Sequence, residues 1–320
     1  MSDGRDFLYR IAVMYYNDHL TQQEISQRLG ISRPQVSRSL AKAEDEGIVH
    51  IQIIPPASDK HDVEKKLANA LGLEKVFIAS QLVKTGSDRE RRTQDIAIAA
   101  ANILPEMFIG KQYVGIGWGE TIYRTALEID YSEKVSETWF VPLLGSLGMR
   151  ERRYQVNSIV DRIAEKMRGQ ILYFSGPAFA IDAQIREKTM KHEMFSSLLD
   201  AWKNLEIAVI GLGVSVDVAG FPMTEFKKEN IDRLRSSKAI GDILGQFFDK
   251  DGNSCQSGYE PEYLGFKIED LSSVRQVICL CGGSSKVPGI IAAAQRKYFN
   301  HLITDELTAV ELSRMLEGKS

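Results

Sequence analysis

Five times along this 320-residue chain an apolar run of strand length ends in a glycine-containing turn, and helix-period segments fill the intervals. The turns read "VGIGWGET" (114–121), "VPLLGSLG" (141–148), "YFSGPA" (173–178), "AVIGLGVS" (208–215) and "ICLCGGSSK" (278–286). Strands that alternate with helices are joined by crossovers, and the architecture that accommodates them is an α/β layer structure around a largely parallel sheet. The spacing predicts helices over 62–71, 89–108, 120–128 and 154–167. It predicts strands over 75–79, 113–116, 139–144, 171–174, 207–210 and 277–280. In such sheets a ligand lies beyond the carboxyl ends of the strands. Glycine there lets it approach the backbone, and the N–H groups of a following helix favour an anion such as phosphate. Each turn alone is ordinary; five at strand ends point to a binding crevice.

The turns carry no nucleotide fingerprint. "GIGWGE" lacks the G-x-G-x-x-G spacing and "GGSSK" lacks the Walker A spacing, which disfavours an NAD enzyme or an ATPase. No G-x-S-x-G is present, and His19, His50, His61, His192 and His301 are scattered, so no Ser-His-Asp set can be assembled. His192-Glu193 has no second His at helical spacing. Cys279 and Cys281 lie two apart in an apolar strand and should be buried on one face, without further Cys or His at ligand spacing. No cofactor, metal or catalytic residue is expected.

The first 54 residues have a different texture. An apolar stripe of Phe7, Leu8, Ile11, Ala12 and Tyr15 predicts a helix over 5–16, broken at Asn17-Asp18. Thr21-Gln-Gln-Glu24 has the form of a capping box that opens a second helix, and Gly30 closes it. Ser32-Arg-Pro-Gln35 has the same form, with Pro34 tolerated in the first turn, and opens a third helix bearing Val36, Leu40 and Ala43 on one side. A short strand or wing is predicted over 48–54. Two short helices joined through a glycine turn make a helix-turn-helix, whose second helix can enter the major groove. Thr21, Ser32, Arg33, Gln35, Ser37, Arg38 and Lys42 are the expected DNA-contacting residues, since Arg suits guanine O6/N7 and Gln suits adenine N6/N7. Four cations (Arg28, Arg33, Arg38, Lys42) and no acidic residue occupy 27–43, and the acidic Glu44-Asp45-Glu46 should point away from phosphates. An ordinary three-helix subdomain would not need this combination.

The 40 Lys+Arg are set against 43 Asp+Glu, a formal net charge of -3, so the basic patch is local. Pro55-Pro56 favours an extended break, giving three expected divisions: a DNA-binding domain over 1–54, a linker over 55–60, and an effector and oligomerisation domain over 61–320. The polar start and the absence of a long apolar run disfavour secretion and membrane spanning, and the few cysteines fit a reducing, cytoplasmic setting.

Over nearly its full length the chain resembles the SorC family of bacterial transcriptional regulators. The resemblance rests on "LTQQEISQRLGISRPQVSRSLAKAEDEGIV", "VGIGWGETIY", "VPLLGSLG", "YQVNSIVDRIAEKMRG", "AVIGLGVS", "GDILGQFFDKDG", "CGGSSKVPGIIAAA" and "LITDELTAVEL". It implies a winged helix-turn-helix joined to a larger Rossmann-like sugar-binding domain, similar to the sugar-phosphate isomerase and deaminase fold. It also implies operator double-stranded DNA and a free or phosphorylated sugar as partners, in a homodimer or homotetramer. Carried over by residue, Gly117, Trp118, Gly119, Glu120 and Thr121 match the first effector loop. Gly145 and Ser146 match the second, where the family usually has a Gly-Gly pair, and Gln155 and Asn157 match polar positions behind it. Asp242 matches the partner of sugar hydroxyls and Lys286 the cation for a phosphate or carboxylate. Some relatives form a Schiff base through a lysine in the second loop; no lysine lies between Val141 and Gly148, so a covalent complex is not implied.

The expected function is a transcriptional regulator whose operator binding is controlled by a sugar or sugar phosphate, and not an enzyme. On the residues alone two alternatives stay open: a sugar-phosphate isomerase or deaminase with an accessory N-terminal domain, and a DNA-binding protein with no ligand. The run 89–92 reads as a solvated helix face, and 225–238 as a surface excursion.

Overall fold

The computed structural model describes residues 2–45, 48–49, 57–146, 154–214 and 228–317. The chain divides into two compact units, Met1–Pro55 and Pro56–Ser320.

In the N-terminal unit α1 (Ser2–Ala12) runs into a π-helical turn (Val13–Asn17), followed by α2 (Gln22–Leu29) and α3 (Arg33–Asp45). The wider turn holds Tyr15 and Tyr16 edge to face, ring centroids 4.9 Å apart. Thr21 caps α2 as predicted: its hydroxyl accepts the Glu24 N–H at 3.3 Å, and the Glu24 carboxylate accepts the Thr21 N–H at 2.8 Å. Gly30 leaves α2 with φ 66°, a left-handed turn that a side chain adopts only with strain. Ser32 meets α3 through its carbonyl, which accepts the N–H groups of Gln35 (2.9 Å) and Val36 (3.1 Å). Ile11, Ile25, Val36 and Leu40 form the centre of this small core, with Ala43 packed beside it against Leu8 and Ala12. Ile48 and Val49 pack on the same side. The predicted wing, beyond those two residues, and the side chains of the acidic triplet lie outside the described residues.

The large unit opens with α4 (Ala57–Leu71), β1 (Lys75–Ala79), α5 (Asp88–Phe108), β2 (Tyr113–Ile116) and α6 (Glu120–Glu128). Then come β3 (Trp139–Pro142), α7 (Val156–Met167), β4 (Gln170–Ile171), α8 (Ala183–Lys191) and α9 (Ser196–Lys203). The last part holds β5 (Ile207–Gly211), β6 (Gly213–Val214), α10 (Lys228–Ser236), β7 (Gly241–Ile243) and β8 (Gln246–Phe248). It finishes with β9 (Gln276–Leu280), α11 (Val287–Gln295), β10 (His301–Asp305) and α12 (Glu306–Glu317). Residues 57–60, read from sequence as linker, are the first turn of α4: a proline just before a helix removes no intrahelical bond, so the tandem prolines mark its start.

Seven strands form a sheet in the order β1-β10-β9-β5-β2-β3-β4, every neighbouring pair parallel. The central strands are continuous apolar runs, as strands covered on both faces must be; Ile207 to Ile210 and Val277 to Leu280 are all buried. Helix α7 buries Val156, Ile159, Val160, Ile163 and Met167, one stripe at helical spacing. Cys279 and Cys281 are buried with their sulfurs 3.5 Å apart, and burial pushes the Cys279 thiol well above its ordinary range. Strand β10 is missing from the sequence reading because only two apolar residues, Leu302 and Ile303, lie between His301 and Asp305; it is a core strand because β1 and β9 flank it.

Strand order determines where a ligand can sit. From β2 the chain crosses to β3 on one side, and from β5 to β9 on the other. The crevice of a doubly wound sheet opens at that reversal, between β2 and β5. A small antiparallel sheet, β6-β7-β8, places Asp242 opposite Gly213.

Candidate functional site

Helix α3 turns its apolar stripe, Val36, Leu40 and Ala43, inward, and at about 100° per residue the opposite face carries Arg38 and Lys42. Ser32, Arg33, Gln35, Ser37, Arg38 and Lys42 are all exposed, as is Thr21 at the start of α2. The Arg38 Nε donates to the Pro34 carbonyl at 3.3 Å, which orients the guanidinium along the outer face. The face is cationic, solvent-facing and presented from a rigid packed helix, which suits the major groove of duplex DNA.

In the large unit a cavity of about 310 Å³ opens at the ends of β2, β5 and β9, a volume within the range of small-molecule sites. Trp118, Gly119, Glu120 and Thr121 supply one wall, and Gly211 to Val214 a second. Asp242 comes from the small sheet, and Gly282, Ser285 and Lys286 from the turn after β9. Arg89, Arg92 and Thr93, in the first two turns of α5, close the remaining side together with Tyr154.

Its charges are not evenly offset. Glu120 accepts from Arg124 at 2.8 Å and from Arg89 at 3.1 Å, so this carboxylate is already neutralised. Asp242 is 6% exposed, and its Oδ2 accepts the Gly245 N–H at 3.3 Å. Burial raises its pKa to about 6, against the opposing pull of the Gly245 N–H and the Lys286 ammonium. Among the described residues neither Arg92 nor Lys286 forms an ion pair. Arg92 instead lies over the Gly282-Gly283 backbone: a Cβ on Gly283 would stand 3.2 Å from its Nη2. Two cations stand beside the short turn that leads into α11, where the Lys286 N–H is taken by the Gly283 carbonyl and the Val287 N–H by the Ser284 carbonyl, so the charges of Arg92 and Lys286 make this end of the cavity suited to an anion. Among the described residues no group of three or more His, Cys, Asp or Glu is placed to hold a metal ion, and no helix is long and apolar enough to cross a membrane.

Residues 56–313 match the family described as "Putative sugar-binding domain". The chain belongs to that family, in its SorC-type regulators. Residues 11–59 match the MarR family, over the helix-turn-helix described above. The deoxyribonucleoside regulator of Bacillus subtilis (strain 168) is 29% identical over 299 residues, covering 93% of this chain and 94% of that one. The sorbitol operon regulator of Klebsiella pneumoniae is 26% identical over 310 residues, covering 96% and 98%. The crystal structure of that full-length regulator superposes with a TM-score of 0.78, covering 96% of this chain and 98% of its own. A helix-turn-helix joined to a sugar-binding domain, matched over 93% and 96% of its length by two regulators, makes this SorC-type chain a DNA-binding transcriptional regulator.

In the SorC-type chain the cavity takes in six of the residues singled out by sequence: Trp118, Gly119, Glu120, Thr121, Asp242 and Lys286. Gly117 stands just behind it, its N–H on the Val209 carbonyl at 2.8 Å. Gly145, Ser146, Gln155 and Asn157 are not among its lining residues. The Ser146 N–H donates to the Gly176 carbonyl at 2.8 Å, and a Cβ on Gly145 would lie 2.3 Å from the Pro177 carbonyl oxygen. Two of the five glycine turns therefore pack against each other, and Gly145 is needed for the backbone contact between them. The Asn157 side chain brackets Phe174, donating to its carbonyl at 2.9 Å and accepting its N–H at 3.2 Å. Gln155 is the residue before α7.

Arg89 and Arg92, which the sequence pattern alone places on a solvated helix face, line the cavity instead. Ser87 and Glu90 form a capping box that starts α5 at Asp88, so both arginines sit near a helix N-terminus, where cations are unfavourable. That misplacement is the signal by which an anion site could have been found.

Proposed function

We propose that this regulator releases or engages its operator according to whether a phosphorylated sugar occupies the cavity at the ends of β2, β5 and β9. The observation that carries this reading is the excess of Arg92 and Lys286 at the start of α11. A phosphate needs N–H donors plus a cation, and a sugar ring needs several short-range hydrogen-bonding partners. Arg92 and Lys286 supply the cation, and the N–H groups of Ser284 and Ser285 supply the donors. Thr121 and Asp242 meet the second, Asp242 accepting from sugar hydroxyls, while Glu120 fixes Arg89 and Arg124 at the rim. The cavity binds and does not turn over its ligand. The relatives matched over more than nine-tenths of their length are named as a deoxyribonucleoside regulator and a sorbitol operon regulator, which fits this assignment.

On the DNA side, Ser32, Arg33, Gln35, Ser37, Arg38 and Lys42 read the operator, with Thr21 at the edge of the contact. The regulator works as a homodimer or homotetramer in the cytoplasm, so that paired helix-turn-helix units meet paired half-sites. An effector changes operator affinity only if it binds two subunit arrangements unequally.

The test begins by selecting duplexes from a randomised library with the full chain. Anisotropy titrations of the selected duplex then follow, with and without a panel of sugar phosphates and the corresponding free sugars. Operator affinity that changes with one or more sugar phosphates, and much less with the free sugars, is the expected result. A selected duplex whose affinity no sugar phosphate alters would overturn the reading.

A further inference from the structure

Behind the anion cradle, and outside the cavity lining, two buried polar residues hold the glycine pair of the β9–α11 turn. The Thr308 hydroxyl accepts the Gly283 N–H at 2.6 Å and donates to the Asp305 Oδ2 at 2.5 Å. The Thr308 N–H donates to Oδ1 of the same carboxylate at 3.1 Å. Thr308 and Asp305 are 1% and 5% exposed, so these bonds are shielded from water.

Local geometry makes the pair more than a helix cap. Asp305 is the last residue of β10 and Thr308 lies in the first turn of α12, so the carboxylate caps its own helix. The same hydroxyl then reaches across to the neighbouring turn. Gly283 stands at φ 115°, and a Cβ on Gly282 would lie 2.1 Å from Asp305 Oδ2 and 2.7 Å from Ile96 Cδ1. The glycine pair is thus pressed between Asp305 on the inner side and the Arg92 guanidinium on the cavity side. With the Gly283 N–H turned inward to Thr308, the following residues, Ser284 and Ser285, begin the turn that leads into α11, and among the described residues their N–H groups meet no backbone carbonyl. Ile96 packs against the same glycine and also lines the cavity, so the Gly282 wall is held from the α5 side as well.

We propose that Thr308 and Asp305 are positioning residues for effector recognition: they fix the Gly282-Gly283 backbone so that the N–H groups of Ser284 and Ser285 and the Arg92 guanidinium converge on the anionic group of the ligand. This rests on the phosphate reading above. Neither residue touches the ligand. Losing the Thr308 hydroxyl leaves the Gly283 N–H buried without an acceptor, and the turn relieves this by swinging that N–H outward, which disperses the cradle. The sugar-ring contacts at Thr121 and Asp242 lie on other elements and stay in place.

The experiment is calorimetric titration of the full chain with inorganic phosphate and with the sugar phosphate to which the wild type responds. The free sugar is titrated in parallel, across wild type, Thr308→Val and Thr308→Ser. Hydrogen exchange of the peptide spanning 281–287 is followed in the unliganded proteins. Thr308→Val is expected to weaken both phosphate-bearing probes about tenfold or more, to leave any free-sugar affinity nearly unchanged, and to speed exchange in that peptide. Thr308→Ser restores the hydroxyl and should return affinity to within about twofold of wild type. Wild-type affinity for phosphate probes in Thr308→Val would overturn the positioning role, as would equal losses for phosphate and free sugar, the mark of a merely structural residue. A wild type that binds no sugar phosphate would instead refute the phosphate reading itself, and the positioning role with it.

Discussion

Asp242→Asn separates what the cavity needs from what the fold prefers. The carboxyl is buried, its ordinary pKa of 3.8 rises to about 6, and burial is the leading cause. At about 1.4 kcal/mol per pKa unit, that gap corresponds to roughly 3 kcal/mol. Between 3.8 and about 6 the folded chain holds a proton that the unfolded chain has released, so stability falls as pH rises through that window. Above it the full penalty of an ionised, buried carboxylate is present; below it the penalty is gone. Asparagine keeps the shape and the acceptor for the Gly245 N–H but carries no charge at any pH. The variant should therefore melt higher than wild type near pH 8, by an amount on the order of 5–10 °C for a unit of this size. The gap should shrink to roughly a third by about pH 4.5 and close only below the ordinary value of 3.8. Effector response at neutral pH should fall at the same time, because a sugar hydroxyl loses its charged acceptor. Thermal melts at the two pH values, with an anisotropy titration of the operator complex, measure both. A variant that melts at or below wild type near pH 8, with unchanged pH dependence, would refute the reasoning. It would mean that the attraction of Lys286 offsets the burial of the charge.

Arg38→Ala removes an outward cation from α3 and should weaken binding to the selected duplex roughly tenfold while leaving effector affinity intact; equal loss of both, by anisotropy and calorimetry, would count against separable functions. Lys286→Ala should blunt the response to a sugar phosphate about tenfold or more, read as a shifted dose–response curve on the operator complex, and an unchanged curve would remove Lys286 from the site. Gly213→Ala would place a methyl 1.8 Å from the Asp242 Oδ1, so Asp242 must move. Effector response should be lost in that variant while ligand-free operator binding survives, and a wild-type response would show that the cavity does not depend on the position of Asp242.

Much of the architecture is written in local patterns. Strands β1 and β2 and helix α6 begin and end where periodicity places them, and the Thr21 capping box forms as its spacing demands. Those features depend on neighbours within one or two turns of chain. Strand β10 does not: His301-Leu-Ile-Thr-Asp305 becomes a buried strand through β1 and β9, which lie far away in sequence. The site divides the same way. Asp242 and Lys286 are legible through the family resemblance, Lys286 also as a cation at a helix start, yet nothing in the local sequence says that they share a cavity with Arg92.

From its amino-acid order alone this protein is a helix-turn-helix followed by an α/β domain with glycine at its strand ends, because helix caps, turn residues and hydrophobic period act over a few residues. Which of those glycine turns meet is a different matter. Three converge on the cavity, while the turns at Gly145 and Gly176 pack on each other. The order of strands in the sheet decides this, and that order is set by long crossovers whose right-handed packing no short stretch of chain encodes.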